Sequence, residues 1–317
     1  MQVQVIGVER ETPTVLAIRL RGLDEQPLPP FDAGSHIDVY LPNGVVRQYS
    51  LCGDPTDLSA YTVAIKREEL SRGGSEFVHR SLRVGDVLSI GYPRNLFGLD
   101  ANATNHVLLA GGIGVTPLIC MAYTLSRAEK AFSLAYFVRS EEEIVFRTLF
   151  ERGSLGQGVN LEVGLSAEAT AERIRAVVSS AAADTHVYVC GPKGFLDTAV
   201  SISEEFLHEK QIHFEVFAPL ATPDRREPSR PFVVRLGRDG RQFTVPENKS
   251  IIDVLSHAGV QIEAVCREGV CGTCIVRVID GVPDHRDTVL SDEEKASCKR
   301  MCACVSRSKS ATITIDF

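Results

Sequence analysis

The chain has 317 residues, of which 44% are hydrophobic and 24% charged, with a net charge of −7. At roughly 150 residues per domain this predicts two to three domains, and the composition excludes a disordered chain, a collagen-like chain and a coiled-coil rod. No long basic run points to nucleic acid, and no stretch approaches the ~18 consecutive apolar residues of a membrane span. The opening MQVQVIGVERETPTV lacks the basic and apolar regions of a secretory signal, so the chain is read as cytoplasmic with no membrane partner.

Residues 1–100 carry short runs rich in V, I, L and Y: VQVIGV, TVLAIRL, SHIDVYL, RQYSL, YTVAIK and DVLSIGY. Turn signals at Pro29-Pro30, Asn43-Gly44, Asp54-Pro55 and Gly85-Asp86 separate them, which predicts an antiparallel barrel or sandwich. Over 101–220 the rhythm changes to strands alternating with helices. HVLLA, AFSLAYFV, VNLEVG, HVYVC and IHFEVF read as strands; PLICMAYTLSRAEK, EEEIVFRTLF, AERIRAVVSSA and GFLDTAVSISEEFLHE read as helices. That alternation implies βαβ units and a parallel sheet with helices on both faces. Residues 218–231 hold four prolines and five charges, and 221–231 are taken as a semi-rigid linker. The remaining 232–317 form a last domain. It has a hairpin turning at Asp239-Gly240 and a short helix with Ser250 as N-cap and Gly259 just past its end.

Nine cysteines are the strongest compositional signal. Cys52, Cys120 and Cys190 are scattered, whereas Cys266, Cys271, Cys274, Cys298, Cys302 and Cys304 fall within 39 residues. An odd count in a cytoplasmic chain argues against a disulfide framework and for metal. The spacing Cys266-x4-Cys271-x2-Cys274, with a further cysteine about thirty residues on, is the plant-type 2Fe–2S pattern, in which four thiolates hold two irons. Gly269 and Gly272 suit a loop wrapped closely around such a centre, with backbone N–H groups aimed at sulfur. Zinc, the rival metal, prefers C-x2-C pairs and is disfavoured by the x4 gap. Cys298, Cys302 and Cys304 all lie in range for the fourth position.

Gly111-Gly112-Ile113-Gly114-Val115-Thr116-Pro117 lies between a strand and a helix, where an α/β sheet binds a nucleotide. Glycines let the backbone approach a pyrophosphate, and the helix N-terminus favours its charge. Thr116 is expected to cap the helix and Pro117 to take its first position. Cys190-Gly191-Pro192-Lys193-Gly194 also ends a strand and opens a helix, so two such turns can flank one dinucleotide; Cys190 by itself reads more readily as a small buried residue than as a functional one. In the first segment, Arg47-Gln48-Tyr49-Ser50 closes a strand and Arg72-Gly73-Gly74-Ser75 precedes a helix over 76–82. Arg suits phosphate, Tyr a flat ring and Ser a ring nitrogen, and the second run is another phosphate cradle or an ordinary cap.

Together, R-x-Y-S (Arg47, Tyr49, Ser50), G-G-x-G-x-T-P (Gly111 to Pro117), C-G-P (Cys190 to Pro192) and C-x4-C-x2-C…C-V-S (Cys266, Cys271, Cys274, Cys304) carry a resemblance across essentially the whole chain. The chain resembles the flavin-dependent oxygenase reductases related to phthalate dioxygenase reductase, within the ferredoxin-reductase-like superfamily. His285-Arg286-Asp287 resembles a family element that follows the third ligand. The resemblance implies an antiparallel β-barrel flavin domain, an α/β parallel-sheet nucleotide domain and a β-grasp α+β ferredoxin domain.

It implies FMN, rather than FAD, in the barrel. Arg47, Gly73, Gly74 and Ser75 would lie at the phosphate, with Tyr49, Ser50 and Lys66 at the ring. It implies NADH over Gly111, Gly112, Gly114, Thr116, Pro117, Gly191 and Pro192, with Ser50, Thr116, Cys190 and Phe217 around the reacting rings. Phe217 would cover the second flavin face; its alternative is a core residue. Cys304 becomes the fourth iron ligand, and Cys298 and Cys302 become spare or partly buried thiols. The acidic Glu141-Glu142-Glu143 favours NADH over NADPH by repelling a 2′-phosphate, although Arg139-Ser140 would welcome one.

NADH gives a pair of electrons as hydride and a 2Fe–2S centre takes one, so a flavin is the needed converter. Hydride transfer needs no general acid, and His36, His79, His106 and His186 are read as ordinary structural residues. The expected partner is a terminal oxygenase of Rieske type acting on an aromatic acid or aryl ether. A diiron monooxygenase as acceptor, or an iron–sulfur redox sensor, is the alternative.

Overall fold

The computed structural model describes residues 1–317 apart from 70, 72, 154, 156, 157, 218–229 and 268. Two compact units divide the chain at Phe217 and Ala218. The expected linker lies almost wholly outside the described residues.

The first unit opens with an antiparallel barrel of β1 (Gln2–Thr12), β2 (Val15–Gly22), β3 (Ser35–Tyr40), β4 (Val46–Ser50), β5 (Tyr61–Lys66) and β6 (Val87–Ile90), in the order β4-β3-β6-β1-β2-β5. A bridge from Leu51 to Val63 closes the ring between β4 and β5. Inward residues such as Val5, Ile18, Leu20, Ile37, Val63 and Ile90 are buried, as the period of two along a pleated strand requires. A two-residue strand, β7 (Arg94–Asn95), pairs with β3; it is too short to carry a sequence pattern. Helix α1 (Gly74–Ser81) begins on the second glycine of the pair, two residues before the expected start at 76.

Next comes a parallel sheet of β8 (Asn105–Gly111), β9 (Ala131–Val138), β10 (Val159–Val163), β11 (Thr185–Cys190) and β12 (Ile212–Glu215), in the order β10-β9-β8-β11-β12. The chain runs outward from β8 one way, then returns to β11 and runs the other way. The switch point therefore falls between β8 and β11, where open α/β sheets bind ligands. Helices α4 (Ala167–Ser179) and α5 (Lys193–Glu204) contribute Ile174, Val178, Leu196 and Ala199 to a core on one face, against Val107 and Leu109 of β8. On the other face α2 (Val115–Arg127) buries nine of its thirteen residues. One continuous core runs from the barrel through α2 to Leu108, Ala110 and Tyr136 of the sheet. The barrel and the sheet thus share a hydrophobic interior.

Two local expectations are corrected. EEEIVFRTLF is not one helix but a 3-10 turn over Glu141–Glu143 and a short α3 (Arg147–Glu151). Ile144 and Val145 are pulled into the core. The Val145 N–H donates to the Tyr136 hydroxyl (3.2 Å) and the Phe146 N–H to the Glu11 carboxylate of β1 (2.9 Å), with Phe146 at φ 57°. Burial and tertiary hydrogen bonds outweigh helical propensity here. In the glycine turn, a 3-10 turn over Gly112–Gly114 runs directly into α2, and Gly114 holds the cap position. Thr116 and Pro117 are the second and third helical residues, and the Thr116 hydroxyl donates back to the Ile113 carbonyl (3.1 Å) instead of capping.

The second unit is a mixed sheet of β13 (Phe232–Leu236), β14 (Gln242–Val245), β15 (Ile275–Asp280), β17 (Arg300–Cys302) and β19 (Thr312–Ile315), ordered β14-β13-β19-β15-β17. The pair β16 (Pro283–Asp284) and β18 (Arg307–Ser308) stands apart. β13 and β19 are parallel, the other neighbours in the main sheet are antiparallel, and α6 (Ile251–His257) packs across the sheet in β-grasp fashion. Ser250 caps α6 in a reciprocal capping box with Asp253, and Gly259 follows its end at φ 76°. A six-residue α7 (Asp292–Ser297) leads into β17. Among the described residues no helix is long and apolar enough to cross a membrane.

Candidate functional site

The two glycine turns meet at the switch point. A Cβ on Gly114 would stand 2.2 Å from the Cys190 carbonyl oxygen, and one on Gly191 would stand 3.0 Å from the Gly111 Cα. Only glycine lets these backbones interlock. Gly112, at φ 53°, faces open space, and Pro192 holds the cap of α5. The result is bare backbone along the carboxyl edges of β8 and β11, with Thr116 buried beneath it. Cys190 is fully buried, paired in parallel register with Ala110 and Glu215. Burial first, and the Glu215 carboxyl second, push its thiol well above the ordinary range, so it is no nucleophile.

The barrel motif reaches the same edge. The Ser50 hydroxyl, at the end of β4, donates to Glu215 Oε2 at the end of β12 (3.4 Å). Glu215 was not singled out from the sequence. The available signal was an acidic residue closing the otherwise apolar parallel strand IHFEVF. Burial pushes its carboxyl up to about 8, against a smaller lowering by Ser50, so it is mostly neutral at pH 7. Phe217, two residues on, is 41% exposed and no core residue.

Every residue of β4 before Ser50 is half-buried instead of alternating, as expected of a strand that lines a site. Burial raises the Tyr49 phenol to about 12. Lys66 is exposed at the end of the neighbouring β5. Gly74 leaves room for Arg47, whose Cγ lies 2.7 Å from where a Cβ would be. Arg47 therefore lies against the N-terminus of α1, where Gly73 is the cap at φ 90° and the Ser71 hydroxyl accepts from the Glu76 N–H (3.3 Å). A guanidinium beside the N–H groups that open a helix is a donor set that suits a phosphate. The Ser75 hydroxyl accepts from the Glu68 N–H and donates to Ser71, both at 3.1 Å. Arg72 lies outside the described residues.

In the second unit the thiols form one hydrogen-bonded cluster, in which Cys266 is also bonded to Cys304. Cys266 and Cys271 share a hydrogen bond, and Cys274 Sγ lies 3.1 Å from Cys304 Sγ. Gly269 and Gly272, both at positive φ, shape the loop between. A Cβ on Gly269 would stand 2.6 Å from Val305 and 3.0 Å from the Asp287 Cα, so the loop is held against the His285-Arg286-Asp287 segment. Asp287 is buried and accepts from the Ser306 hydroxyl (3.2 Å) and the Leu290 N–H (3.0 Å). The neighbouring Cys302 and Cys304 thiols lower Cys274 below the ordinary thiol range. Crowded thiols of this kind become thiolates together only around metal cations, and four of them match the ligand number of a two-iron centre. Cys298 stands apart, directed at the Lys295 carbonyl. Cys302, expected to be a spare or partly buried thiol, is fully buried in the same core as Cys274.

A flavin-type barrel sharing its core with a nucleotide-type sheet, and a β-grasp unit with paired thiols, define an electron-transfer oxidoreductase. Residues 234–309 match the family of 2Fe–2S iron–sulfur cluster binding domains. Vanillate O-demethylase oxidoreductase of Acinetobacter baylyi is 38% identical over 100% of this chain and 99% of its own. Phthalate dioxygenase reductase of Burkholderia cepacia is 35% identical over 100% and 97%. A solved structure of phthalate dioxygenase reductase, described as modular for electron transfer from pyridine nucleotides to 2Fe–2S, superposes with a TM-score of 0.73 at 35% identity, covering 100% of this chain and 98% of that one. The chain belongs to the phthalate dioxygenase reductase-like family of oxygenase reductases.

Proposed function

We propose that this chain takes hydride from NADH onto FMN and passes electrons singly, through a 2Fe–2S centre, to a terminal oxygenase of Rieske type acting on an aromatic acid or aryl ether. The observation that carries the reading is the Ser50–Glu215 contact. It brings the barrel strand with the flavin motif and the sheet edge with the glycine turns to one spot, as hydride transfer between two bound rings demands.

When bound, the flavin converts a two-electron donor into one-electron steps. The chain's residues hold and orient. Arg47, with Gly73, Gly74 and Ser75 at the start of α1, binds the flavin phosphate. Tyr49 would lie against the ring, Ser50 would hydrogen-bond it with its hydroxyl turned from Glu215, Lys66 would stand at its polar edge and the exposed Phe217 would cover its second face. A neutral Glu215 carboxyl orients Ser50. Gly111, Gly112, Gly114, Gly191 and Pro192 admit the dinucleotide backbone, while Thr116, Pro117 and the Cys190 carbonyl fix the turn that aims the nicotinamide. The exposed turn Glu141–Glu143 at the end of β9 favours NADH by repelling a 2′-phosphate. Cys266, Cys271, Cys274 and Cys304 hold the irons. No disulfide joins the nine cysteines among the described residues, which fits a reducing, cytoplasmic setting. The demethylase and dioxygenase relatives supply the kind of acceptor and substrate.

The test is one set of spectra. Visible absorbance and EPR of the purified protein are recorded before and after NADH, and the released flavin is identified by chromatography. Bleaching of a flavin band, a reduced 2Fe–2S signal and FMN are expected. A colourless protein, or one that fails to reduce cytochrome c with NADH, refutes the reading.

A further inference from the structure

Glu11 stands outside the pairing of its own strand. Along the β1–β2 ladder Arg10 pairs with Leu16 and Thr12 with Val15, so Glu11 is the extra residue of a β-bulge. A bulge re-aims the side chain it carries. Here the Glu11 carboxylate accepts the Phe146 N–H (2.9 Å) from the segment that follows β9 of the parallel sheet. Phe146 is held at φ 57°, a left-handed conformation that a bulky residue keeps only where its surroundings impose it. Beside it Ile144 and Val145 are buried, and the Val145 N–H donates to the Tyr136 hydroxyl (3.2 Å). The Glu11 bond is thus the polar tie from the barrel to a strained piece of the nucleotide-type sheet.

The tied segment begins where Glu141–Glu143 end. Those three glutamates are exposed and form one tight turn, in which the Glu143 N–H donates to the Ser140 carbonyl (3.1 Å) and the Ile144 N–H to the Glu141 carbonyl (3.2 Å). Arg147 closes the turn from its far side, donating to the Glu141 carbonyl and lying 3.7 Å from its carboxylate. Residues 141–147 therefore move as one piece, and Glu11 holds that piece at Phe146. Its position matters, because β9 neighbours β8 and the glycine turn. An acidic group after the second strand of such a sheet accepts a ribose 2′-hydroxyl and refuses a 2′-phosphate, whereas a nearby arginine welcomes the phosphate. Both kinds stand at the end of β9, since Arg139 is exposed as well. Which of them meets the ribose depends on where the turn is held.

We infer that Glu11 is a positioning residue for nucleotide choice: by holding the Phe146 N–H it fixes the acidic turn Glu141–Glu143 at the carboxyl end of β9, where the turn refuses a 2′-phosphate. This rests on the NADH reading above and adds to it the group that keeps the discriminating turn in place. The test titrates the full-length holoprotein, Glu11→Ala and Glu11→Gln with ADP and with 2′,5′-ADP by calorimetry, with flavin content and melting temperature recorded alongside. The parent is expected to prefer ADP. In Glu11→Ala that preference is expected to narrow by roughly threefold to tenfold, the worth of one hydrogen bond, with 2′,5′-ADP binding more tightly than it does to the parent. Glu11→Gln keeps an acceptor oxygen and is expected to restore most of the preference. A general loosening of the fold would weaken both ligands and cannot tighten one of them. An unchanged preference in folded Glu11→Ala overturns the inference, and so does parallel weakening of both ligands. Should Glu11→Ala fail to fold, Glu11→Asp decides: it keeps the charge but is one methylene too short for the bond, so a narrowed preference supports the inference and an unchanged one overturns it. A parent that takes 2′,5′-ADP as readily as ADP would defeat the NADH reading itself, and the inference with it.

Discussion

Glu215 gives the sharpest test of the first unit. Burial lifts its carboxyl from an ordinary 4.5 to about 8, with the Ser50 hydrogen bond opposing. Between those values the folded protein holds a proton that the unfolded chain has released. Stability therefore falls as pH rises through that window, by at most about 1.4 kcal/mol per pH unit, and levels off above pH 8. The full interval would correspond to about 5 kcal/mol. Glu215 keeps part of its surface open, and solvent screening reduces the usable figure to roughly 2 kcal/mol. Glu215→Gln keeps the shape and removes the charge. It is expected to match the parent near pH 5 and to exceed it by roughly 2 kcal/mol at pH 8.5, some 4–8 °C in the melting of a unit this size. Melting of both proteins by far-UV circular dichroism at matched pH checks this. The two units need not melt together, so the difference between the proteins at each pH carries the result. Parallel pH profiles would refute the placement of a neutral carboxyl at the meeting of barrel and sheet.

Other substitutions test separate parts. Gly114→Ala drives a methyl into the Cys190 carbonyl and is expected to cost about 3 kcal/mol, seen as a lower melting temperature and lost NADH binding. Arg47→Gln removes the cation at the α1 N-terminus and should weaken FMN binding roughly tenfold to a hundredfold. Binding of riboflavin, which lacks the phosphate, should not change in a fluorescence titration. Cys298→Ser should retain full iron, whereas Cys304→Ser should lose it, both by iron analysis of the purified proteins.

Much of this was legible in the residues because the determinants are local. The six barrel strands and the sheet strands announce themselves by period-two or continuous apolar runs, and β8 is apolar from Val107 to Ala110, where helices cover both of its faces. The cysteine spacing places four thiols on one loop system. What escaped was set by contacts distant in sequence. The acidic turn at 141–143 looks like a helix start until Glu11, 135 residues away, takes the Phe146 N–H. Thr116 looks like a cap, but the preceding 3-10 turn occupies that place. Glu215 has no strong sequence signature of its own: it acquires meaning from Ser50, 165 residues earlier.

The distribution of cores follows the chemistry each part must perform. Hydride transfer tolerates little misplacement, because the donor and acceptor rings must be held in van der Waals contact at fixed orientation. The elements assigned to those two rings accordingly share one hydrophobic core, spanning barrel, α2 and one face of the parallel sheet. A single-electron step makes no covalent bond between its partners and needs no such shared interior. The thiol-bearing unit has a separate core of its own, built from its sheet, α6 and three of the clustered cysteines. Fusion where atoms are transferred and modularity where only electrons are transferred is the arrangement this division of labour predicts.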